Sequence, residues 1–128
     1  MTAPPMEFDE KARENLEAVE RLRPSDDGSL LCLANAVANR AYYAAYHAVA
    51  HVAQQQRQAF TAEKNYYRHD ELPDDAARWG ILDDTARRDL RDLYGMRIKA
   101  DYQDDPVEFE EAERMAVLAI KLVRGLLG

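Results

Sequence analysis

The sequence predicts an all-α protein, an up-and-down bundle of four to five helices in one domain over residues 1–128. Apolar residues recur every three or four positions in four segments, and no segment shows the alternation typical of a strand. Alanine is abundant and β-branched residues are scarce, which favours helices locally. Glycine and proline number only five each and fall mostly between the periodic segments. A chain of 128 residues is long enough for one buried core.

The first half of the chain predicts two helices. Residues 6–23 carry one apolar face, formed by Phe8, Ala12, Leu16, Val19 and Leu22. The polar run 24–29 then predicts a turn. A long helix is expected over residues 30–58, followed by an irregular or partly helical connection at 59–72.

The second half predicts a short helix and two longer ones. The short helix runs over 72–79 and is stopped by Gly80. Asp83 and Asp84 suit the beginning of a helix that reaches residue 102, since acidic groups stabilise a helix N-terminus. Pro106 suits the first turn of a last helix, which ends near residue 127.

Charge and composition limit the function classes. The formal net charge is −7, whereas proteins that bind a nucleic-acid backbone without sequence preference usually carry a basic excess. No apolar run reaches the roughly 20 residues that span a bilayer. Residues 1–5 lack the pattern of a signal peptide and are expected to be flexible. The single cysteine, Cys32, is expected to be a buried thiol. These features predict a cytoplasmic protein.

An apolar stripe in the fourth periodic segment continues into two charged residues. At 100° per residue, its apolar members share one sector; they are Leu82, Ala86, Leu90 and Leu93. Arg97 and Asp101 lie in or at the edge of that sector, four residues apart, a spacing at which side chains on adjacent turns meet. An ion pair on a half-buried face is one interpretation, and a binding site is another.

The long second helix carries two sectors. A small-residue stripe is formed by Ala34, Val37, Ala41, Ala45, Ala48 and Val52. Beside it lies a polar and aromatic strip of Arg40, Tyr43, His47 and His51, with Tyr42 and Tyr46 on the opposite flank. The two histidines are spaced like some zinc ligands, but no suitable third ligand stands near them, so no metal site and no cofactor are predicted. The stripe and its aromatic flanks offer more apolar surface than one core needs, which predicts a homodimer.

Two short runs resemble one known family. Residues 39–48 read Asn-Arg-Ala-Tyr-Tyr-Ala-Ala-Tyr-His-Ala, and residues 93–102 read Leu-Tyr-Gly-Met-Arg-Ile-Lys-Ala-Asp-Tyr. Together, in this order and spacing, they resemble the HEPN superfamily (higher-eukaryote and prokaryote nucleotide-binding domains). The closer match is to an uncharacterised prokaryotic branch with Arg-x-Tyr-Tyr-Ala and Arg-x-x-Ala-Asp-Tyr motifs, and it covers about residues 8–125.

The resemblance implies a helical bundle, commonly a homodimer, often paired with a nucleotidyltransferase in toxin–antitoxin systems. Many members are metal-independent ribonucleases with an Arg followed after four to six residues by a His. Arg97 matches the Arg, but no His follows it here. His47, His51 or His69 could supply the imidazole instead. In related toxins a Tyr near this place is adenylylated, and Tyr102 is the corresponding candidate, with an imperfect spacing.

Three hypotheses therefore stay open. The first is a metal-independent ribonuclease that acts on RNA, with Arg97 and His47 as catalytic groups. The second is a non-catalytic module that binds RNA, a nucleotide or a protein; for both, the candidate binding residues are Arg40, Tyr43, His51, His69, Asp101 and Tyr102. The third is a purely structural network of Arg40, Arg97 and Asp101.

Overall fold

The described residues fold into five helices and no β-strand. The computed structural model describes residues 8–22, 31–60, 66–102 and 107–128. The helices are α1 (Phe8–Leu22), α2 (Leu31–Gln55), α3 (Leu72–Arg78), α4 (Asp84–Tyr102) and α5 (Phe109–Leu127). The all-helical class predicted from the sequence is confirmed.

Helix α2 is the central element, because α1, α4 and α5 all pack against it. Five of the six residues of the small-residue stripe, from Ala34 to Ala48, are fully buried by these neighbours, and Val52 is half-buried. Alanine side chains allow this close approach on several sides at once. The stripe therefore belongs to the core of a single chain. It is not the surplus surface from which a dimer was predicted, so that argument was wrong.

The long helices pair in opposite directions. Contacts between low-numbered residues of one helix and high-numbered residues of the next show this: Asp9 with His51, Asn15 with Arg40, Asn39 with Asp101, Tyr42 with Tyr94, Asp89 with Lys121, and Lys99 with Glu111. Thus α1, α2, α4 and α5 alternate in direction along the chain. The C-terminal half of α4 consequently lies beside the N-terminal half of α2.

Helix α2 ends three residues earlier than predicted. Arg57 has a φ of 59°, a left-handed conformation that a helix cannot continue through. The amide of Gln58 donates to the carbonyl of Ala53 at 3.0 Å, and the amide of Arg57 donates to Gln54 at 2.9 Å. This pair of hydrogen bonds is a Schellman arrangement with Arg57 in the place that glycine usually takes.

Helix α5 begins later than predicted. Pro106 was expected in its first turn, but Glu108 is extended (φ −69°, ψ 149°) and the helix begins at Phe109. The backbone amide of Glu108 donates to Glu111 Oε1 at 3.3 Å, which completes a capping box. Asn35 accepts the amide of Val107 at 2.9 Å, so the approach to α5 is fastened to α2.

The predicted end of α3 and the predicted beginning of α4 agree more closely with the structure. Gly80 follows α3 with a φ of 77°, and Asp83 Oδ1 accepts the amide of Ala86 at 2.8 Å at the beginning of α4. Several expectations fall outside the described residues: the flexible residues 1–5, the turn at 24–29, Pro106 itself, and the side chains of Cys32 and Tyr102. No helix in the described part of the chain is long and apolar enough to cross a membrane.

Candidate functional site

Arg97 and Asp101 form an ion pair where α4 faces α2. Arg97 Nε lies 3.2 Å from Asp101 Oδ2, although its direction falls short of a hydrogen bond. Asn39 of α2 donates through Nδ2 to both carboxylate oxygens, at 3.1 and 3.2 Å. The Arg97 side chain is only 15% exposed, and that of Asp101 is 29% exposed. The apolar stripe of α4 therefore ends in a polar group of three residues from two helices.

Two tyrosines of α2 hold the guanidinium of Arg97 between helices. Its central carbon lies 5.3 Å from the ring centre of Tyr43 and 5.9 Å from that of Tyr42. A cation over an aromatic face is attracted by the ring quadrupole, more strongly when water is excluded. Within the described residues, no hydrogen bond occupies the two terminal nitrogens of Arg97. Their donors are thus left for an anionic partner.

The connection before α3 is fastened to α2 by a buried tyrosine. Tyr67 is fully buried, and its hydroxyl donates to the carbonyl of Gln58 at 2.8 Å and accepts from Gln54 at 2.6 Å. The hydroxyl of Tyr46 donates to the carbonyl of Tyr67 at 2.7 Å and accepts its amide at 3.2 Å. These bonds place residues 66–71 beside α2 and determine where His69 lies.

His69 lies in a pocket of aromatic rings beside Arg97. Its Nδ1 is hydrogen-bonded to the hydroxyl of Tyr42. Its ring stacks 6.2 Å from that of Tyr94, with only 5° between the ring planes, and lies 4.3 Å from the ring of Tyr46. Burial and the positive charge of Arg97 both lower the pKa of His69. The side chain is therefore a neutral imidazole at pH 7.

His47 lies on the other side of the aromatic cluster, the group of rings that Tyr42, Tyr43, Tyr46 and Tyr94 form around His69. Its ring stacks on Tyr43, with centres 5.8 Å apart, and on Phe8 of α1, with centres 6.0 Å apart. Burial, aided by the charge of Lys11, lowers the pKa of His47 to about 4. Its Nδ1 is shielded from water and has no hydrogen-bond partner among the described residues. His47 is thus a packed, neutral ring, and the ring of Tyr43 lies between it and Arg97.

Arg40 and His51 point to a different surface. Arg40 donates to Asn15 of α1 at 3.3 Å, and His51 lies 3.9 Å from Asp9 of α1. The structure therefore separates the strip that the helical wheel grouped: Tyr43 contacts Arg97, whereas Arg40 and His51 contact α1. Arg40 also has no part in the bonds between Arg97, Asp101 and Asn39. Tyr102 ends α4, and its side chain is outside the described residues.

Sequence reasoning missed four members of this cluster: Asn39, Tyr42, Tyr46 and Tyr94. Tyr42 and Tyr46 had been placed on the flank opposite to the polar strip. They face the connection before α3, which bends over α2 and brings His69 to them. The tyrosine run around residue 42, together with Tyr94 one turn before Arg97, was the available signal.

The arrangement suits recognition of an anion with a planar group. Arg97 supplies a fixed positive charge with donors that no described residue occupies, and charge-assisted hydrogen bonds are the strong ones. Tyr43 and Tyr94 are half-buried rings at its border, and aromatic faces stack nucleobases. Three cavities of about 230 to 400 Å³ lie elsewhere on the described surface, and none of the three is lined by Arg97.

Metal ligands do not converge here. In the described ranges, no group of three or more His, Cys, Asp or Glu side chains is placed to hold a metal ion. Comparison of the chain with protein-family models, curated proteins and solved structures gives no match.

Proposed function

We propose that this chain is a HEPN-like helical domain that binds a phosphate-bearing ligand, RNA or a nucleotide, at Arg97. The observation that carries the proposal is the position of the Arg97 guanidinium, which lies against Tyr42 and Tyr43 and whose terminal nitrogens make no hydrogen bond to the residues that the structure describes. A guanidinium matches phosphate geometry and keeps its charge at all physiological pH values. The two sequence motifs that resemble the HEPN superfamily converge at this place, which supports the same assignment.

Recognition is expected to be local rather than spread over a basic surface. The net charge is −7, and Asp101 places a carboxylate beside Arg97. A ligand must therefore gain from ring stacking as well as from its phosphate. A nucleotide or a short unpaired RNA segment offers both groups.

Binding of ADP and of a short single-stranded RNA, measured by calorimetry, tests the proposal. Arg97→Ala removes the charge and its donors, so affinity for both ligands should fall by roughly 10- to 100-fold, since hydrogen bonds to charged groups are worth about 1.5–3 kcal/mol. Arg88→Ala is the matched control, because Arg88 is an exposed arginine of the same helix. Binding of ADP alone would identify a nucleotide site, and binding of the RNA alone would identify an RNA site.

Two results would overturn the proposal. The first is that neither ligand binds the wild-type protein. The second is that Arg97→Ala binds as well as Arg88→Ala. If Arg97→Ala lowers the melting temperature markedly and no ligand binds, then Arg97, Asp101 and Asn39 form a structural network.

A second candidate is a metal-independent ribonuclease, favoured by one observation: an imidazole, that of His69, lies in the aromatic cluster beside Arg97. No His follows Arg97 in the sequence, so His69 would supply the imidazole. Cleavage would need a base for the ribose 2′-hydroxyl, an acid for the leaving oxygen and a cation on the phosphorane. RNA degradation that His69→Gln and Arg97→Ala each abolish would establish it.

The biological setting is the effector half of a toxin–antitoxin pair, with a nucleotidyltransferase as partner, and the proposed assembly is a homodimer. Both rest on the HEPN resemblance alone. Light scattering at about twice the monomer mass of 14.6 kDa would support the dimer, and a value near 14.6 kDa would refute it. Co-purification with the product of an adjacent nucleotidyltransferase gene would support the partner.

A further inference from the structure

The hydroxyl of Tyr42 has one partner in the described part of the chain, His69 Nδ1. Tyr42 is 1% exposed, so water does not replace that partner. Burial raises the pKa of Tyr42 far above its ordinary value, and the hydroxyl therefore keeps its proton. A buried hydroxyl that donates to no acceptor costs free energy, so its proton is directed at Nδ1.

His69 has a single proton to place. Burial and Arg97 keep its imidazole neutral by lowering its pKa. In a neutral imidazole one nitrogen carries the hydrogen and the other accepts. Since Nδ1 accepts from Tyr42, the hydrogen lies on Nε2. No hydrogen bond between described residues involves that nitrogen.

We infer that Tyr42 is a positioning residue that holds His69 in the tautomer with its hydrogen on Nε2, so that His69 presents a hydrogen-bond donor, and not a base, to an anionic oxygen of a ligand at Arg97. The part that concerns the ligand rests on the function proposed above. Tyr42 touches both residues: its ring centre lies 5.5 Å from that of His69 and 5.9 Å from the guanidinium carbon of Arg97.

The groups around His69 favour the neutral ring on balance. The groups that face it are Tyr42, Tyr43, Tyr46 and His47 on α2, Tyr94 and Arg97 on α4, and Tyr66 and Asp70 on its own segment. Asp70 is the one acidic side chain among them, and it raises the pKa of His69 by less than burial and Arg97 lower it. The site therefore offers two kinds of N–H donor and a positive charge, which is the chemistry that recognises a phosphate.

Nitrogen NMR of protein labelled with ¹⁵N-histidine tests the tautomer directly and requires no ligand. Two-bond ¹H–¹⁵N correlations distinguish a protonated Nε2 from a protonated Nδ1, and His69→Gln identifies the His69 signals. In wild-type protein at pH 7, His69 should show one tautomer, with the hydrogen on Nε2. In Tyr42→Phe the two nitrogen shifts should move towards each other as both tautomers become populated. The pKa of His69 should rise, because the neutral ring loses a donor at Nδ1.

Tyr94→Phe is the matched control. Tyr94 stacks its ring on that of His69, but no hydrogen bond among the described residues joins its hydroxyl to His69. This variant should keep the single tautomer while removing a tyrosine hydroxyl from the same group of rings. A circular dichroism spectrum for each variant shows that the helices are retained.

Two outcomes would overturn the inference: a hydrogen on Nδ1 in wild-type His69, or nitrogen shifts that are the same in Tyr42→Phe and in wild type. Addition of ADP or the RNA then tests the ligand separately. If the tautomer is found but neither ligand shifts the Nε2 signal, the proposed function fails and the role of Tyr42 in fixing the tautomer stands. A shift that disappears in Arg97→Ala supports both.

Discussion

Asp101 is paired with Arg97, and its negative charge opposes the binding of an anion there. Its carboxylate lies 3.2 Å from Arg97 Nε and is 29% exposed. The same carboxylate accepts two hydrogen bonds from Asn39, which hold it in place beside Arg97 and so orient the guanidinium. Asp101 thus combines an orienting contact with an unfavourable charge. The two effects can be separated by a change that keeps the shape.

Asp101→Asn should strengthen ADP binding by roughly fivefold, since removing one nearby like charge is worth about 1 kcal/mol at a partly exposed site. The amide oxygen still accepts a hydrogen bond from Asn39, so the free energy of unfolding should fall by less than about 1 kcal/mol. Asp92→Asn, an exposed change on the same helix, is the control and should leave affinity unchanged. Weaker binding by Asp101→Asn would contradict this and show that the contact of the carboxylate with Arg97 matters more than its opposing charge.

His47 makes the stability of the fold depend on pH. Its pKa is about 4 in the folded chain, below the ordinary value of 6.5. Between these pH values the unfolded chain binds more protons than the folded chain, so stability rises with pH there. The stabilisation is complete above about pH 6.5 and is lost as the pH falls towards 4. The fold disfavours the charged form because the ring is packed between Phe8 and Tyr43.

Urea unfolding of wild type and His47→Gln at pH 7.0 and 4.5 measures this effect. The wild-type protein should lose on the order of 2 kcal/mol more than the variant over this range, a value reduced from the full pKa difference because the imidazole is partly exposed. The carboxylates and His69 are common to both proteins and cancel in the comparison. Equal losses in both proteins would show that His47 is solvated in the folded state.

The site could be predicted from the sequence only where its residues lie on one helix. Arg97 and Asp101 are four residues apart on α4, so the helical spacing alone brings them together. Asn39 and Tyr42 join them from another helix, and a helical wheel does not say which neighbour a face meets. His69 depends on the bonds of Tyr67 in a segment with no periodicity. Nothing in the spacing of residues along the sequence indicates that His69 lies near Arg97.

At the scale of elements, two glycines near each other in the chain have opposite roles. Gly80 follows α3 with a φ of 77°, a conformation that side-chain-bearing residues rarely adopt. Gly95 lies within α4, where its backbone freedom in the unfolded chain only weakens the helix. At both positions, apart from the adjacent residues and the backbone of its own helix, an added Cβ would meet no atom within 4 Å. The difference between them is therefore one of backbone conformation and not of space.

Gly80→Ala should lower the free energy of unfolding by about 1 kcal/mol, and Gly95→Ala should raise it by about 0.5–1 kcal/mol. Thermal or urea unfolding of the two variants measures both, and each serves as the control for the other. Gly95 is an exposed position, so its change should leave the site intact. The same sign for both variants would contradict the conformation of the turn after α3.

The elements themselves were more predictable than the site, because helical periodicity and stop signals are local. The beginning of α4 after Asp83 and the stop at Gly80 follow from the chemistry of single residues. The end of α2 and the beginning of α5 were misplaced by three residues. Arg57 adopts a left-handed conformation that its residue type does not suggest, and the extended residue that caps α5 is Glu108 rather than one next to Pro106.

At the scale of the whole molecule, charge determines how RNA binding should respond to salt. A net charge of −7 repels a polyanion at a distance, and the proposed contact depends on Arg97 alone. Each phosphate neutralised on a single strand contributes a slope of about −0.7 to a plot of log affinity against log salt. One or two such contacts predict a slope between about −0.7 and −1.4, far shallower than that of proteins that bind through a basic surface.

Titration of a short single-stranded RNA at several salt concentrations from about 50 to 300 mM, a range over which screening changes strongly, measures that slope. Arg97→Ala should reduce the slope by about 0.7 in magnitude as well as weaken binding, because one counterion fewer is released. Arg88→Ala should leave the slope unchanged, since that exposed arginine lies outside the aromatic cluster. A slope steeper than about −3 would mean that several other cations of the chain contact the backbone, which would exclude recognition centred on Arg97 and its tyrosines.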